Sequence, residues 1–135
     1  VAGILHSGVM NASEKWTGIW TNEYGSRLHI TDDTGGRIEG TFTTALGDSA
    51  FAGSTFPIIG LSKGKGLHFA FATTDEPSTI ASFTGLLRGD ALHMAWHVVS
   101  DRAVKPPNPQ AEPTEIELPW AHAVLANTDT FRRQS

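Results

Sequence analysis

The sequence predicts an all-β protein, an eight-stranded antiparallel up-and-down barrel, and three observations carry that expectation. Apolar and polar residues alternate with period two in segment after segment, the mark of half-buried strands. The segments recur at roughly 8–12-residue spacing. Between them stand clusters of Gly, Asp, Asn and Ser, each suited to tight turns. Composition agrees: 135 residues with fourteen Gly, seven Pro and 18% charged residues make one domain of short strands. An apolar fraction of 39%, with seven Phe and four Trp, is enough for one core.

Residues 1–13 carry no periodicity and read as a loose arm, 14–131 as the barrel, and 132–135 as a tail. Asn11-Ala12-Ser13 fits a glycosylation acceptor, which matters only in a eukaryotic secretory pathway. Trp16 to Thr21 alternates Trp16, Gly18 and Trp20 against Thr17, Ile19 and Thr21, a first strand. Gly25 turns the chain, and Arg27 to Thr31 follows as the second, with Leu28 and Ile30 on one side. Asp32-Asp33-Thr34-Gly35-Gly36 is a hairpin turn. Arg37 to Ala45 is the third strand, with Ile38, Phe42 and Thr44 at even steps. Phe51 to Leu61 is a weaker fourth, since Gly53 and Pro57 interrupt pairing. After the turn Ser62 to Gly66, Leu67, Phe69 and Phe71 mark the fifth; Thr79, Ala81 and Phe83 mark the sixth. Leu92, Met94, Trp96 and Val98 oppose His93, Ala95 and His97 in the seventh. The proline-rich stretch from Ser100 to Glu117 reads as a long surface loop. Propensity alone allows Ala121 to Ala126 as a helix, but Trp120 to Phe131 closes an all-strand chain and is read as the eighth strand.

Several function classes drop out. A net charge of −4 without clustered Lys or Arg argues against nucleic acid. No apolar run reaches the length of a membrane span. With no cysteine, disulfides say nothing of the compartment. Val1 to Met10 is apolar but lacks the charged start of a signal peptide, so it is either a mature end left by processing or an expression leftover. His93 and His97 resemble a metal pair only on a helix; on a strand they stand about 13 Å apart and face outward. Gly64-Lys65-Gly66 lacks the spacing and following helix of a phosphate loop. Asp32-Asp33 and Asp75-Glu76 lie in turns, where carboxylates cap and are solvated. No catalytic constellation emerges, so the chain reads as a non-enzyme without metal or cofactor.

A closed barrel has an interior face, and eight strands leave room for one small ligand. If Trp20 and Ser26 point inward, parity places Phe42, Thr44, Phe71, Thr79, Ala81, Phe83, Trp96 and Val98 there too. Aromatic walls with a few hydroxyls suit a small-molecule pocket. The alternative is an aromatic core whose hydroxyls bond the backbone.

Trp16-Thr-Gly-Ile-Trp-Thr-Asn-Glu-Tyr-Gly-Ser26 resembles the first hairpin of the avidin and streptavidin family of biotin-binding proteins. Weaker similarity continues in order through Gly40 to Asp48, Gly66 to Phe71, Ser82 to Gly85, the strand around Trp96, Trp120, and Asp129-Thr-Phe131. It covers residues 16–100 and 118–131. The resemblance implies an avidin-like barrel that binds biotin without chemistry. It implies that Asn22 and Ser26 donate to the ureido oxygen, and that Asp129 and Thr44 take the two ureido N–H groups. Phe71, Phe83 and Trp96 match aromatic walls, while Tyr24 and Leu46 match apolar lining. Gly47 and Asp48 match a loop that closes over the ligand and binds its carboxylate, which Thr79 also reaches. Trp120 matches a tryptophan that a neighbouring subunit inserts over the pocket.

The departures count as well. Phe42 stands where the family usually has a tyrosine hydroxyl on the ureido oxygen, and Ala81 where a threonine usually contacts the ring sulfur. At about 0.5–1.5 kcal/mol per missing hydrogen bond, biotin binding is expected to be weaker than in typical members by one or two decades. Trp120 to Phe131 is one residue longer than the family spacing, and the preceding loop is longer and richer in proline. Outward Ala95, Val99 and Leu87, with Trp120, point to a homotetramer; the alternative is a dimer with Trp120 on its own barrel. The resemblance implies a secreted or periplasmic protein. Two rivals remain. One is a lipocalin-like carrier of an apolar ligand, because Gly18-x-Trp20 also resembles that family's opening, although a lipocalin is normally longer with a helix after the barrel. The other is a structural or enzyme-type barrel with a filled interior.

Overall fold

The computed structural model describes residues 16–45, 53–73, 78–105, 109–112 and 114–134. Its strands, in chain order, are β1 (Gly18–Asn22), β2 (Arg27–Asp32), β3 (Arg37–Thr43), β4 (Thr55–Lys63), β5 (Gly66–Ala72), β6 (Thr79–Arg88), β7 (Ala91–Ser100), β8 (Arg102–Lys105), β9 (Thr114–Glu117) and β10 (Val124–Arg133). Eight of them close into a barrel in the order β1-β10-β7-β6-β5-β4-β3-β2, all neighbours antiparallel, and β8 and β9 form a separate two-stranded ribbon. Closure satisfies both edges of every barrel strand, which removes the exposed ladder an open sheet would leave. The closing seam pairs Trp20 with Arg133 and Asn22 with Phe131.

The core follows the alternation. Leu28, Ile30, Ile38, Ile58, Leu67, Phe69, Leu92, Met94 and Phe131 are buried inside. Trp16 and Trp20 cover one end with ring centroids 6.0 Å apart, and the Trp20 indole N–H donates to the Trp16 carbonyl at 2.9 Å. Asp33, expected to be solvated, is buried and accepts the Trp16 main-chain N–H at 3.1 Å. A carboxylate there satisfies a donor at the strand entrance that no ladder reaches. Its neighbour Asp32 stays exposed, and hydrogen bonding to Thr34 holds its carboxyl below the usual carboxylate range.

Strong coiling of the wall rests on glycines. At Gly40, Gly60 and Gly85 a Cβ would overlap the main-chain oxygen of His29, His68 and His93 respectively, each on the adjoining strand. Those strands lie too close for any side chain at these positions, which is how a sheet bends tightly enough to close.

Several boundaries differ from expectation. β4 is a full strand: Gly53 precedes it, and Pro57 lies where β4 is paired with β3 alone, since pairing to β5 begins at Ile59. The stretch from Ser100 to Glu117 is not simply loop. β8 and β9 pair Arg102 with Glu117 and Ala103 with Ile116, while the prolines from Pro106 to Pro113 fall between the two strands. The Leu118 N–H donates to the Asp101 carbonyl at 2.8 Å and Arg102 meets Glu115 at 3.3 Å, so local pairing holds the ribbon without an apolar pattern. Trp120–Ala123 forms one helical turn, α1, rather than strand. Pro119 starts it by accepting the N–H groups of His122 and Ala123, and the β-branched Val124 returns the chain to extended backbone. β10 continues past Phe131 to Arg133, whose guanidinium lies 4.5 Å over the Trp20 ring and donates to the Thr17 carbonyl at 2.7 Å. Leu87, expected on the outside, packs against the core, because β6 points Thr79, Ala81, Phe83 and Leu87 inward and leaves Leu86 exposed. The arm 1–13 lies outside the described residues.

Candidate functional site

One end of the barrel gathers the polar interior groups. β1 ends there at Asn22, β2 begins just after Ser26, β3 ends just before Thr44, and β6 begins and β7 ends there at Thr79 and Ser100. Gly25 makes the β1–β2 turn at φ 89°, a backbone conformation natural to glycine. The turn is closed by Gly25 N–H to the Asn22 carbonyl and Asn22 N–H to the Ser26 carbonyl, both 3.1 Å.

Asn22 is the hub. Its Oδ1 accepts the main-chain N–H groups of Tyr24 at 3.0 Å and Ser26 at 2.9 Å, which fixes the orientation of the amide. Its Nδ2 therefore faces β10 and donates to Oδ2 of Asp129 at 3.0 Å, across the closing seam. Ser26 Oγ accepts the Ala45 N–H at 3.0 Å. Asn22, Ser26, Thr44 and Asp129 are all buried.

The hydrogen-bond inventory leaves four vacancies. Each Asn amide has two N–H donors and each carboxylate two acceptor oxygens. The second Nδ2 hydrogen of Asn22, the hydroxyl proton of Ser26, Oδ1 of Asp129 and the hydroxyl of Thr44 have no partner among the described residues. Such a set offers two donors and up to two acceptors on side chains already held in place.

Beside it lie the aromatic residues. Phe42 sits with ring centroids 5.3 Å from both Phe71 and Phe83, and Phe83 lies 6.2 Å from Trp96. Deeper, Phe69 stacks on Phe83 at 4.5 Å and Phe131 meets it edge-on at 6.3 Å. Phe71, Trp96 and Val98 are half-buried against this core, and Ala81 is buried between them, opposite Phe71 and Val98. At the rim, Thr79 Oγ1 and Ser100 Oγ are 2.9 Å apart. The structure thus brings together Asn22, Ser26, Phe42, Thr44, Phe71, Thr79, Ala81, Phe83, Trp96, Val98 and Asp129 on the inner face toward one end. Two residues stand apart: the Tyr24 ring is 54% exposed, and Trp120 is 75% exposed. Leu46, Gly47 and Asp48 lie outside the described residues.

Ser100 escaped the sequence reading because it opens the presumed loop, although the even steps Trp96, Val98, Ser100 mark it as inward. Among the described residues no cluster of three or more His, Cys, Asp or Glu is placed to hold a metal ion, and no helix is long and apolar enough to cross a membrane.

Residues 10–134 match the family model described as the Avidin family. The chain belongs to the avidin family. Solved structures of avidin-type proteins share its fold. Apo bradavidin2 is 26% identical with a TM-score of 0.62, the alignment covering 86% of this chain and 94% of that one. The bradavidin2–biotin complex is 24% identical with a TM-score of 0.65, covering 87% and 96%. The rhizavidin–biotin complex is 16% identical with a TM-score of 0.67, covering 90% and 93%. Comparison with curated protein sequences yields no significant match. Nothing in these matches supports the lipocalin reading.

Proposed function

We propose that this avidin-family protein binds biotin non-catalytically inside the barrel, at the end occupied by Asn22, Ser26, Thr44 and Asp129. The observation that carries the reading is the set of unfilled hydrogen-bond positions. A cyclic urea presents one carbonyl oxygen and two N–H groups. The free N–H of Asn22 and the hydroxyl of Ser26 suit the oxygen; Oδ1 of Asp129 and the Thr44 hydroxyl suit the two N–H groups. Because backbone N–H groups already hold Asn22 and Ser26, little ordering remains to be done on binding. The aromatic residues beside the cluster supply apolar area for the bicyclic ring, and Thr79 and Ser100 at the rim suit the carboxylate tail. Family membership and the biotin complexes of bradavidin2 and rhizavidin support the same ligand. Calorimetry with free biotin tests it; no heat and no thermal shift at millimolar ligand would end it.

Affinity is expected below that of typical members. Phe42 brings only its ring, stacked on Phe71 and tilted against Phe83 and Phe69, where a tyrosine would add a third donor. Phe42→Tyr is expected to raise biotin affinity about three- to tenfold, the worth of one ordinary hydrogen bond. An unchanged or lower affinity in a folded variant would show that the ring does not reach the ureido oxygen.

The same proposal extends to a homotetramer. Trp120 at 75% exposure, with Ile59, Leu61, Ile80 and Leu86 also exposed, leaves more large apolar side chains on the barrel exterior than a monomer favours. Sedimentation should give a mass of four chains, and Trp120→Ala should weaken biotin binding if a neighbour's indole covers the site. A monomer with wild-type affinity in the Trp120→Ala variant would overturn both. Export from the cytoplasm belongs to the same reading.

A further inference from the structure

Among the described residues one side-chain nitrogen or oxygen is both sealed from solvent and without a hydrogen-bond partner, and it is Nε1 of Trp96; the open positions on Asn22, Ser26, Thr44 and Asp129 are not sealed in this way. An enclosed N–H without an acceptor costs about 1–3 kcal/mol, and natural interiors rarely leave one. Its inward neighbours on β6 and β7 offer it nothing. Trp96 stands opposite Phe83 on β6, the next inward residues are Met94 and Val98, and Ala81 faces Val98. None of these side chains carries an oxygen; the polar side chain paired with Trp96 on β10, Asn127, is exposed, and its Oδ1 accepts the Thr128 N–H at 2.8 Å.

Register gives the level of this donor. Along the inward face of β7 the order is Met94, Trp96, Val98, Ser100. Asp129 of β10 pairs with Met94, and Thr79 of β6 pairs with Ser100. Trp96 therefore lies one inward step above the Asp129 carboxylate and below the hydroxyl pair at the rim. If biotin binds with its ureido group at Asp129 and its carboxylate near the rim, the part of the ligand at the Trp96 level is the bicyclic ring, whose acceptor apart from the ureido oxygen is the thioether sulfur. Thioether sulfur is a weak acceptor, suited to an N–H in an otherwise apolar wall.

We propose that the Trp96 indole N–H donates to the thioether sulfur of biotin, and that this contact makes the site prefer biotin over sulfur-free analogues. The inference rests on the biotin reading above. It assigns Trp96 a polar, specificity-determining part beyond its ring, at the place where Ala81 provides no hydroxyl.

Trp96→Phe keeps an aromatic ring but removes the donor together with part of the indole, and that loss of apolar contact falls on both ligands. Calorimetry on wild type and variant is run with biotin and with desthiobiotin, which retains the ureido group and tail but lacks sulfur. Wild type should prefer biotin. Trp96→Phe should lose about three- to tenfold more affinity for biotin than for desthiobiotin, so that the preference narrows. An equal loss for both ligands, or for neither, overturns the sulfur contact while leaving biotin binding intact. Failure of wild type to bind either ligand overturns the biotin reading and this inference together. Should Trp96→Phe fold poorly, the indole N–H proton resonance of wild type decides: it should shift on adding biotin and far less with desthiobiotin, and equal shifts would refute the contact.

Discussion

Asp129→Asn should weaken biotin binding by about a hundred- to a thousandfold while leaving the protein folded. Oδ2 of Asp129 accepts from Asn22 at 3.0 Å, and Oδ1 is the acceptor proposed for one ureido N–H. An asparagine has one acceptor where two are needed. Whichever way its amide turns, an NH2 group faces either Asn22 or the ligand. A hydrogen bond to a charged group is worth about 1.5–3 kcal/mol, and a donor left facing a donor adds about 1–3 kcal/mol. The lower half of their combined range, roughly 3–4 kcal/mol, corresponds to that loss in affinity. Titration calorimetry with biotin measures it, and circular dichroism checks the fold. Asn22→Ala is the poorer probe, because it also strips the acceptor from the N–H groups of Tyr24 and Ser26 and so lowers stability. A folded Asp129→Asn protein that binds biotin within tenfold of wild type would remove the ureido assignment.

Gly60→Ala should be among the most destabilising single-methyl changes in the chain. The added Cβ would overlap the carbonyl oxygen of His68 and sit 2.8 Å from the Cα of Phe69. Both are backbone atoms of β5, which is paired to β4 through Ile59 and Ala70, Gly60 and Phe69, and Leu61 and His68. The neighbour cannot give way without parting that ladder, and in a closed cylinder a displaced strand displaces the next. Overpacking typically costs about 1–3 kcal/mol, and the upper end or more is expected where only backbone can yield. That is a drop of roughly 10 °C in melting temperature for a domain of this size. Gly64→Ala is the control: it lies in the β4–β5 turn at φ 57° with nothing within 4 Å of a Cβ, so only backbone strain is paid. If Gly60→Ala melts no lower than Gly64→Ala, the tight approach of β4 and β5 is wrong. Gly40 and Gly85 make the same approach to His29 and His93 and should behave alike.

The barrel was legible because half-buried strands announce themselves by alternation, and the β1–β2 turn because Asn, Gly and Ser each have a local reason to stand there. The inward set followed from parity alone, down to Thr44 and Thr79. Where local pattern and burial part company, the reading lost ground. β8 and β9 have no apolar face to advertise them and are held by backbone pairing and the Arg102–Glu115 contact. Trp120–Ala123 is a helical turn set by Pro119, and Leu87 fell on the inner face because parity is counted along the whole of β6.

By itself the sequence determined the eight strands of the barrel, most of the inward residues and the family resemblance, since these depend on period-two alternation and on one short hairpin. Tertiary structure alone decided that Asn22 and Asp129, 107 residues apart, share a hydrogen bond. It also decided that Asp33 is buried, that three glycines admit neighbouring backbones, and that the Trp96 N–H has no partner. The first of those facts arises from closure, since it exists only once β1 meets β10 and no local stretch of chain contains both sides of that seam; the others come from how closely neighbouring strands and loops pack, which alternation does not report.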